Sequence, residues 1–284
     1  EAVQTMLHAA QHQAGWRSFP LPQEFVLSPT EQQIQAEQEV YLSVIVQCRN
    51  DDYGVGMLDR LNRMLETSTH MLHSAGLPAE IIIVEWNPPL GTPPIADVIR
   101  RAPGTADSVP IRVITVPTAV HMSIPHHKAH PIFEHIAENV AFRRAKGKFF
   151  LKTNIDNILS PDVILLIASR QLKEDAVYRA TYMEYWVTGP EVDAITEPKD
   201  LIEWVFSREE LLNEANHKLR ELAAQYPEDS QVCISAGTVP TPGSASSPRP
   251  FYWAGSGDFV LASRALIFRV HGYPQIAQNW QTDD

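Results

Sequence analysis

The stretch IAENVAFRRAKGKFFLKTNID, residues Ile136–Asp156, decides the fold of this chain. Ile136 and Val140 recur at helical spacing, which predicts an amphipathic helix that ends before Gly147. Gly147 is expected to let the chain turn, and the apolar run Phe149–Leu151 then predicts a buried strand. Because a helix followed by a buried strand is the repeating unit of α/β folds, the chain is predicted to be an α/β protein.

The predicted strand ends in a polar tripeptide, Asn154-Ile155-Asp156. The carboxyl ends of strands in an α/β sheet open into a crevice where ligands bind. A carboxylate and an amide at such a place suit a phosphate-bound divalent cation and a sugar hydroxyl. The sequence therefore predicts a ligand site at this strand end.

This region also carries a family-like pattern: Asn139, Ala145, Gly147 and, after the strand, the tripeptide ending in Asp156. The pattern resembles the region of family-2-type glycosyltransferases of the GT-A fold that ends in an Asp-x-Asp motif. The resemblance implies sugar transfer from a nucleotide-diphosphate sugar, with Mn²⁺ or Mg²⁺ on the donor diphosphate and a UDP-sugar favoured over a GDP-sugar. Asn154 replaces the first aspartate of the motif, so Asp156 is the expected anionic metal ligand.

The resemblance covers residues 41–284 and is interrupted at 187–250. Residues 1–40 are predicted to form an N-terminal arm. The interruption predicts amphipathic helices followed by a Pro-, Gly- and Ser-rich stretch, which is either a lid that selects the acceptor or a surface excursion. The predicted architecture is one GT-A-like domain with a mostly parallel sheet flanked by helices.

The first strand of the domain is predicted at Tyr41–Val46 and empties into a polar loop. In the family that it resembles, this strand end contacts the nucleoside diphosphate. The resemblance therefore implies that Gln47, Arg49 and Asn50 contact the donor. The alternative for this segment is a solvated polar loop.

The second strand is predicted at Ala79–Val84 and ends at Glu85. The family usually has an acidic residue here that hydrogen-bonds the base or ribose, and Glu85 fits that place with a longer side chain. Trp86 is expected to pack in the core rather than to stack on the base. Asn139 and Arg143, on the helix of the opening stretch, are further expected nucleotide contacts.

A third strand is predicted at Ile111–Val116, and a histidine-rich segment follows it. The histidines are His121, His126, His127, His130 and His135. Zinc sites need ligands at fixed spacings on defined elements, and Pro125 and Pro131 break the helix that such a spacing requires. A polar loop over the donor site is expected instead, in which His126 or His127 reaches a pyrophosphate.

Two elements are predicted after the tripeptide. Ser160 and Pro161 have the signature of a helix cap and first turn, and Val163–Ala168 continues as a buried helix ending around Gln171. The alternating, aromatic-rich run Ala176–Trp186 predicts a strand.

The resemblance returns at FYWAGSGDFVL, residues 251–261, which looks like the acceptor-side block of the family. An acidic pair follows that block in the family, and Asp283 and Asp284 stand in its place here. In inverting members a carboxylate there removes the proton from the acceptor hydroxyl. Asp283 and Asp284 are therefore the expected catalytic residues, with Asp258 as the alternative.

The composition excludes some partners. The chain has 23 Lys and Arg against 34 Asp and Glu, a net charge of −11, which argues against nucleic acid, because that binding depends on neutralising phosphates. No apolar run is long enough to span a membrane. The expected partners are a nucleotide-sugar donor and a glycan, lipid or small-molecule acceptor.

The location in the cell stays open. The sequence contains no Asn-x-Ser/Thr sequon and two cysteines, Cys48 and Cys233, which favours the cytoplasm over a lumen. A Golgi-lumenal location is the alternative, if an N-terminal anchor was removed.

Three functions are compatible with these patterns. The first is a metal-assisted glycosyltransferase. The second is a GT-A-like protein that binds a nucleotide sugar without transfer, suggested by Asn154. The third is a nucleotidyltransferase or metal hydrolase built on the histidine-rich segment.

Overall fold

The computed structural model describes residues 40–52, 56–179, 194–206 and 259–273. These residues form an α/β fold around one six-stranded sheet. The strands are β1 (Leu42–Cys48), β2 (Ala79–Trp86), β3 (Ile111–Val116), β4 (Phe149–Thr153), β5 (Val177–Arg179) and β6 (Phe259–Ser263). The helices are α1 (Met57–Ser74), α2 (Ile95–Val98), α3 (Thr118–Met122), α4 (Glu134–Phe142), α5 (Pro161–Ala168), α6 (Pro198–Phe206) and α7 (Arg264–Arg269).

The sheet has the strand order β3-β2-β1-β4-β6-β5. Strands β1 to β4 are parallel, whereas β6 runs antiparallel to β4 and to β5. The predicted α/β class and mostly parallel sheet are therefore confirmed. The first three strands are where near-continuous apolar runs predicted them, because a strand covered on both faces needs apolar side chains on both.

Helices cover both faces of the sheet. On one face, α1, α5 and α6 pack on alternate strand residues such as Val44, Ile81 and Leu151. On the other face, α4 and α7 pack on Ile45, Ile82 and their neighbours. We call these the α1 face and the α4 face. No helix in the described residues is long and apolar enough to cross a membrane.

The predicted element boundaries are close to the observed ones. Ser160 caps α5 as expected, since its hydroxyl accepts from the backbone N–H of Val163. The helix ends at Ala168, before the expected Gln171. Of the predicted strand Ala176–Trp186, Val177–Arg179 is observed and the part after Arg179 lies outside the described residues.

Gly147 is needed for a different reason than the sequence suggested. It does not adopt a left-handed backbone, so a turn conformation does not require glycine. A Cβ at this position would instead lie 2.5 Å from the backbone nitrogen of Ser43, in β1. Gly147 thus allows the segment before β4 to approach the neighbouring strand closely.

Candidate functional site

The candidate site is the crevice between the carboxyl ends of β1 and β4. The chain builds the sheet outward from β1 through β2 to β3, then crosses back and places β4 on the other side of β1. The strand order therefore reverses between β1 and β4. In open α/β sheets, ligands bind in the crevice at such a switch point. The loops at this point begin at Arg49 and Asn154.

The tripeptide aspartate lies at this crevice and is accessible. Asp156 follows β4, and its side chain is 37% exposed. Its Oδ2 accepts a hydrogen bond from Nη1 of Arg60, a residue in the first turn of α1 that is 30% exposed. The carboxylate thus faces solvent rather than the protein interior, and it is paired with a guanidinium.

Arg60 is a site residue that the sequence reasoning missed. A single arginine within the apolar pattern of a helix gives no signal of its own. Its position could have given one, because the first turn of a helix that follows a parallel strand lies at the carboxyl edge of the sheet. The structure brings it to Asp156 across 96 residues of sequence.

Arg49 and Asn50, two of the predicted donor contacts, lie at the same edge and connect two loops. Arg49 donates from Nε to the carbonyl of Asn87, at 2.8 Å, and pairs with Asp51. Asn50 donates to the carbonyl of Pro93, at 3.0 Å. These bonds fasten the loop after β1 to the loop after β2. The two loops therefore form one connected wall of the crevice.

Glu85 lies at the carboxyl end of β2 as predicted, but it is buried. One carboxylate oxygen accepts from the backbone N–H of Ile95, at 3.0 Å, and the other from the hydroxyl of Thr115, at 2.9 Å. These bonds position α2 and β3 against β2. The expected packing role of Trp86 is confirmed, since its side chain is fully buried.

The two residues predicted on α4 are not brought to the crevice opening. Asn139 donates to the carbonyl of Tyr273 at 2.8 Å and accepts from its N–H at 3.0 Å, so it fastens α4 to the segment after α7. Arg143 is exposed at the C-terminal end of α4. The carbonyl of the next residue, Arg144, accepts from Arg112 near the start of β3, which places this end at the amino edge of the sheet.

A buried polar cluster lies beside the crevice on the α4 face. Glu138 is fully buried, with Lys152 Nζ 3.3 Å and His135 Nδ1 3.1 Å from its carboxylate oxygens. Lys152 also lies 3.4 Å from Oδ1 of Asn154. The hydrogen bond with Glu138 raises the pKa of His135 against the lowering effect of burial. Asn154 therefore sits next to an ammonium group.

Gln47 is the remaining predicted contact. It is the sixth residue of β1, and its side chain points to the α4 face because side chains alternate along a strand. Among the described residues, its buried Oε1 has no hydrogen-bond partner. A buried carbonyl oxygen without a partner is costly, so this oxygen is available to a donor group of a ligand or a water.

The histidine-rich segment is mainly a loop, as expected, with His121 in the short helix α3 and His135 in the first turn of α4. His121 accepts from Nε1 of Trp86 at Nδ1, and its Nε2 lies 3.0 Å from the carbonyl of His127. These partners fix the neutral tautomer, and burial lowers the pKa of His121. Within residues 40–52, 56–179, 194–206 and 259–273, no three His, Cys, Asp or Glu side chains form a metal-binding group.

The predicted catalytic residues Asp258, Asp283 and Asp284 lie outside the described residues, as do the N-terminal arm up to residue 39 and most of the interruption at 187–250. The sequence matches no known protein-family profile and no curated protein. The function is therefore inferred from the chemistry of the site and from the resemblance in the sequence.

Proposed function

We propose that the protein is a metal-assisted glycosyltransferase with a GT-A-like fold, which moves a sugar from a nucleotide-diphosphate sugar to an acceptor hydroxyl. One observation carries this proposal. The switch point between β1 and β4 brings together the two segments that the resemblance assigns to the donor, the loop at Arg49 and the tripeptide ending in Asp156. Open α/β sheets bind nucleotides at this place.

The charges at the crevice suit a diphosphate. Arg49 and Arg60 both lie at the carboxyl edge, and each is part-exposed. A guanidinium presents parallel N–H donors that match the oxygens of a phosphate group. Two such groups can hold the diphosphate of a donor even though the chain as a whole is acidic.

The residues at the tripeptide fit a divalent cation. Mg²⁺ is usually held by one or two carboxylates together with substrate phosphates and waters. Asp156 offers one part-exposed carboxylate, and the amide oxygen of Asn154 would have to leave Lys152 Nζ, 3.4 Å away, to reach the cation. When bound, the cation would neutralise charge on the departing diphosphate.

The reaction itself is a substitution at the anomeric carbon. The acceptor oxygen forms a bond to that carbon while the bond to the diphosphate oxygen breaks and its electron pair leaves with the diphosphate. The proton of the acceptor hydroxyl passes to a carboxylate base. Asp283 and Asp284, with Asp258 as the alternative, stay the predicted bases.

A second candidate function is nucleotide-sugar binding without transfer. The observation that favours it is the pairing of Asp156 with Arg60, together with Asn154 in place of the first aspartate of the motif. A carboxylate that stays paired with an arginine is a poorer cation ligand than an unpaired one. Such a protein would bind the donor and leave the glycosidic bond intact.

The test is thermal-shift titration and donor hydrolysis with UDP, GDP and their sugars, with and without Mn²⁺. Cation-dependent stabilisation by a nucleotide, together with hydrolysis or transfer of its sugar, supports the proposal. Nucleotide binding without turnover supports the second candidate. A response to zinc or to nucleoside triphosphates alone would contradict both.

Two variants make that test specific. Asp156→Ala is expected to abolish the Mn²⁺-dependent activity and to leave the fold intact, because the side chain is part-exposed. Asp107→Ala is the matched control, since it removes an exposed carboxylate from the loop that precedes β3 at the amino edge. Full activity in Asp156→Ala would mean that the tripeptide is not the cation site.

A further inference from the structure

The ion pair between Arg60 and Asp156 joins two elements that a ligand in the crevice would separate. Arg60 lies in the first turn of α1, and Asp156 lies in the loop after β4. Asp52 caps the same helix end, where its Oδ1 accepts from the backbone N–H groups of Gly56 and Met57. The guanidinium is therefore held at the crevice by its helix, while its carboxylate partner belongs to the opposite loop.

The pair is weak enough to exchange. Its side chains are 30% and 37% exposed, and ion pairs with that exposure contribute little to stability. A diphosphate carries more charge than one carboxylate and presents several oxygens to the planar guanidinium. Replacement of the carboxylate by a diphosphate oxygen is therefore favourable for Arg60.

We propose that Arg60 is a diphosphate-binding residue and that a diphosphate takes the place of Asp156 in the ion pair with Arg60. The incoming diphosphate displaces Asp156 from Arg60 and thereby releases the Asp156 carboxylate to the cation. The inference rests on the proposed function, because it takes the ligand to be the diphosphate of the donor. Arg60 then binds the donor, and Asp156 alternates between two partners, Arg60 and the cation.

The exchange couples the binding of the anion and of the cation. A diphosphate on Arg60 makes Asp156 available to Mn²⁺, and Mn²⁺ on Asp156 makes Arg60 available to the diphosphate. By linkage, each ligand must strengthen the binding of the other by the same factor. Loss of the Asp156 carboxylate should remove the competitor of the diphosphate, so it should not weaken binding in the absence of metal.

The experiment is calorimetric titration of the full chain with inorganic pyrophosphate and with UDP, in EDTA. Arg60→Ala is expected to weaken binding at least about tenfold, since it removes a charged hydrogen-bond donor. Asp156→Ala is expected to leave the affinity unchanged or to raise it by up to about fivefold. Arg60→Lys keeps the charge without the planar fork and should fall between Arg60→Ala and the wild type.

Arg100→Ala is the matched control. Arg100 Nε lies 2.9 Å from a carboxylate oxygen of Glu66, a residue of α1. Arg100→Ala therefore removes the same charge as Arg60→Ala and breaks a comparable ion pair. Glu66 lies about 9 Å further along α1 than Arg60, away from the crevice. Arg100→Ala should therefore leave pyrophosphate binding unchanged within about twofold.

The outcomes separate this inference from the proposed function. Arg60-dependent pyrophosphate binding in a protein that hydrolyses and transfers no sugar supports the inference and contradicts the transferase. Sugar transfer with pyrophosphate binding that is unaffected by Arg60→Ala overturns the inference alone. Metal-free binding that Asp156→Ala weakens several-fold also overturns it, as does a wild-type chain that binds neither pyrophosphate nor UDP. Circular dichroism of each variant confirms that it is folded.

Discussion

The two edges of the sheet each carry a carboxylate paired with an arginine, but the two carboxylates differ in their surroundings. At the amino edge, Glu80 is 2% exposed. Its oxygens accept from the Ser43 hydroxyl, from the Lys146 backbone N–H and from Arg112. At the carboxyl edge, Asp156 is 37% exposed and pairs with Arg60.

This difference in burial distinguishes a carboxylate that must keep its partners, Glu80, from one that can exchange its partner, Asp156. A buried carboxylate with several donors cannot lose them without a large cost, because each bond lost leaves a buried polar group unsatisfied. A part-exposed carboxylate can change partners at little cost, since water replaces what it loses. The carboxylate at the amino edge therefore stabilises the sheet, whereas the one at the carboxyl edge can change partners, as the proposed exchange requires.

Gly147→Ala is expected to have the largest effect and would sharpen this comparison. The added Cβ would overlap the backbone of Ser43, which cannot move without shifting β1. We expect the free energy of unfolding to fall by about 3 kcal/mol or more, measured by urea denaturation. Gly104→Ala is the control, because Gly104 has open space around it and a left-handed backbone, which costs about 1 kcal/mol for alanine. Equal losses in the two variants would contradict a role for close approach.

Glu80→Ala tests the structural carboxylate directly. It leaves the Ser43 hydroxyl and the Lys146 N–H without their acceptor, and we expect a loss of about 2–3 kcal/mol in the free energy of unfolding. Glu66→Ala is the matched control, since it breaks an exposed glutamate–arginine pair and should cost less than about 1 kcal/mol. If both variants lose the same stability, burial does not distinguish the two kinds of carboxylate.

Asn139→Ala tests whether Asn139, which the resemblance places at the donor, instead stabilises the fold. Both of its polar atoms bond the backbone of Tyr273, so we expect a loss of about 1–2 kcal/mol in the free energy of unfolding. Asn139→Asp keeps the acceptor for the Tyr273 N–H but places a carboxylate oxygen against the Tyr273 carbonyl at a buried position, so it should lose at least as much stability as the alanine variant. A folded, equally stable Asn139→Ala protein that binds UDP poorly would instead favour direct donor contact.

The smallest expected effect is the pH dependence contributed by His135. Its pKa is raised, mainly by the hydrogen bond with Glu138, so the protonated form favours the folded state. This contribution is complete below the ordinary histidine pKa of about 6.5 and is lost as the pH rises through the raised pKa. Because the side chain is part-exposed, we expect less than about 1 kcal/mol.

The measurement is the difference in unfolding free energy between the wild type and His135→Gln, from pH 5 to pH 9. The difference should be larger at the acid end. A difference that is constant over this range would contradict the His135–Glu138 interaction. His121→Gln is a control of opposite sign, because burial lowers the pKa of His121 and makes it favour folding when neutral.

The sequence predicted the parts of the fold that are set locally. Apolar runs such as Ala79–Val84 predicted strands because a doubly covered strand must be apolar, and Ser160 predicted the start of α5 because its hydroxyl satisfies a backbone N–H of the first turn. The close approach at Gly147 could not be predicted in this way. It depends on the pairing of β4 with β1, about a hundred residues earlier.

The candidate site likewise has features that are set locally and features that depend on tertiary packing. The strand ends that carry Arg49 and Asp156 followed from the strand predictions. The pairing of Asp156 with Arg60 and the burial of Lys152 against Glu138 depend on how α1 and α4 dock on the two faces of the sheet. Periodicity along one segment does not determine that docking.

The central claim is that the crevice between β1 and β4 binds the diphosphate of a nucleotide. A crystal structure of the protein soaked with Mn²⁺ and with whichever of UDP and GDP stabilises it tests this claim most directly. We expect the diphosphate at the carboxyl ends of β1 and β4, in contact with Arg60, and the cation on Asp156. A nucleotide bound at the amino edge would contradict this claim, whereas a diphosphate at the crevice with the Arg60–Asp156 pair intact would contradict only the proposed exchange of partners.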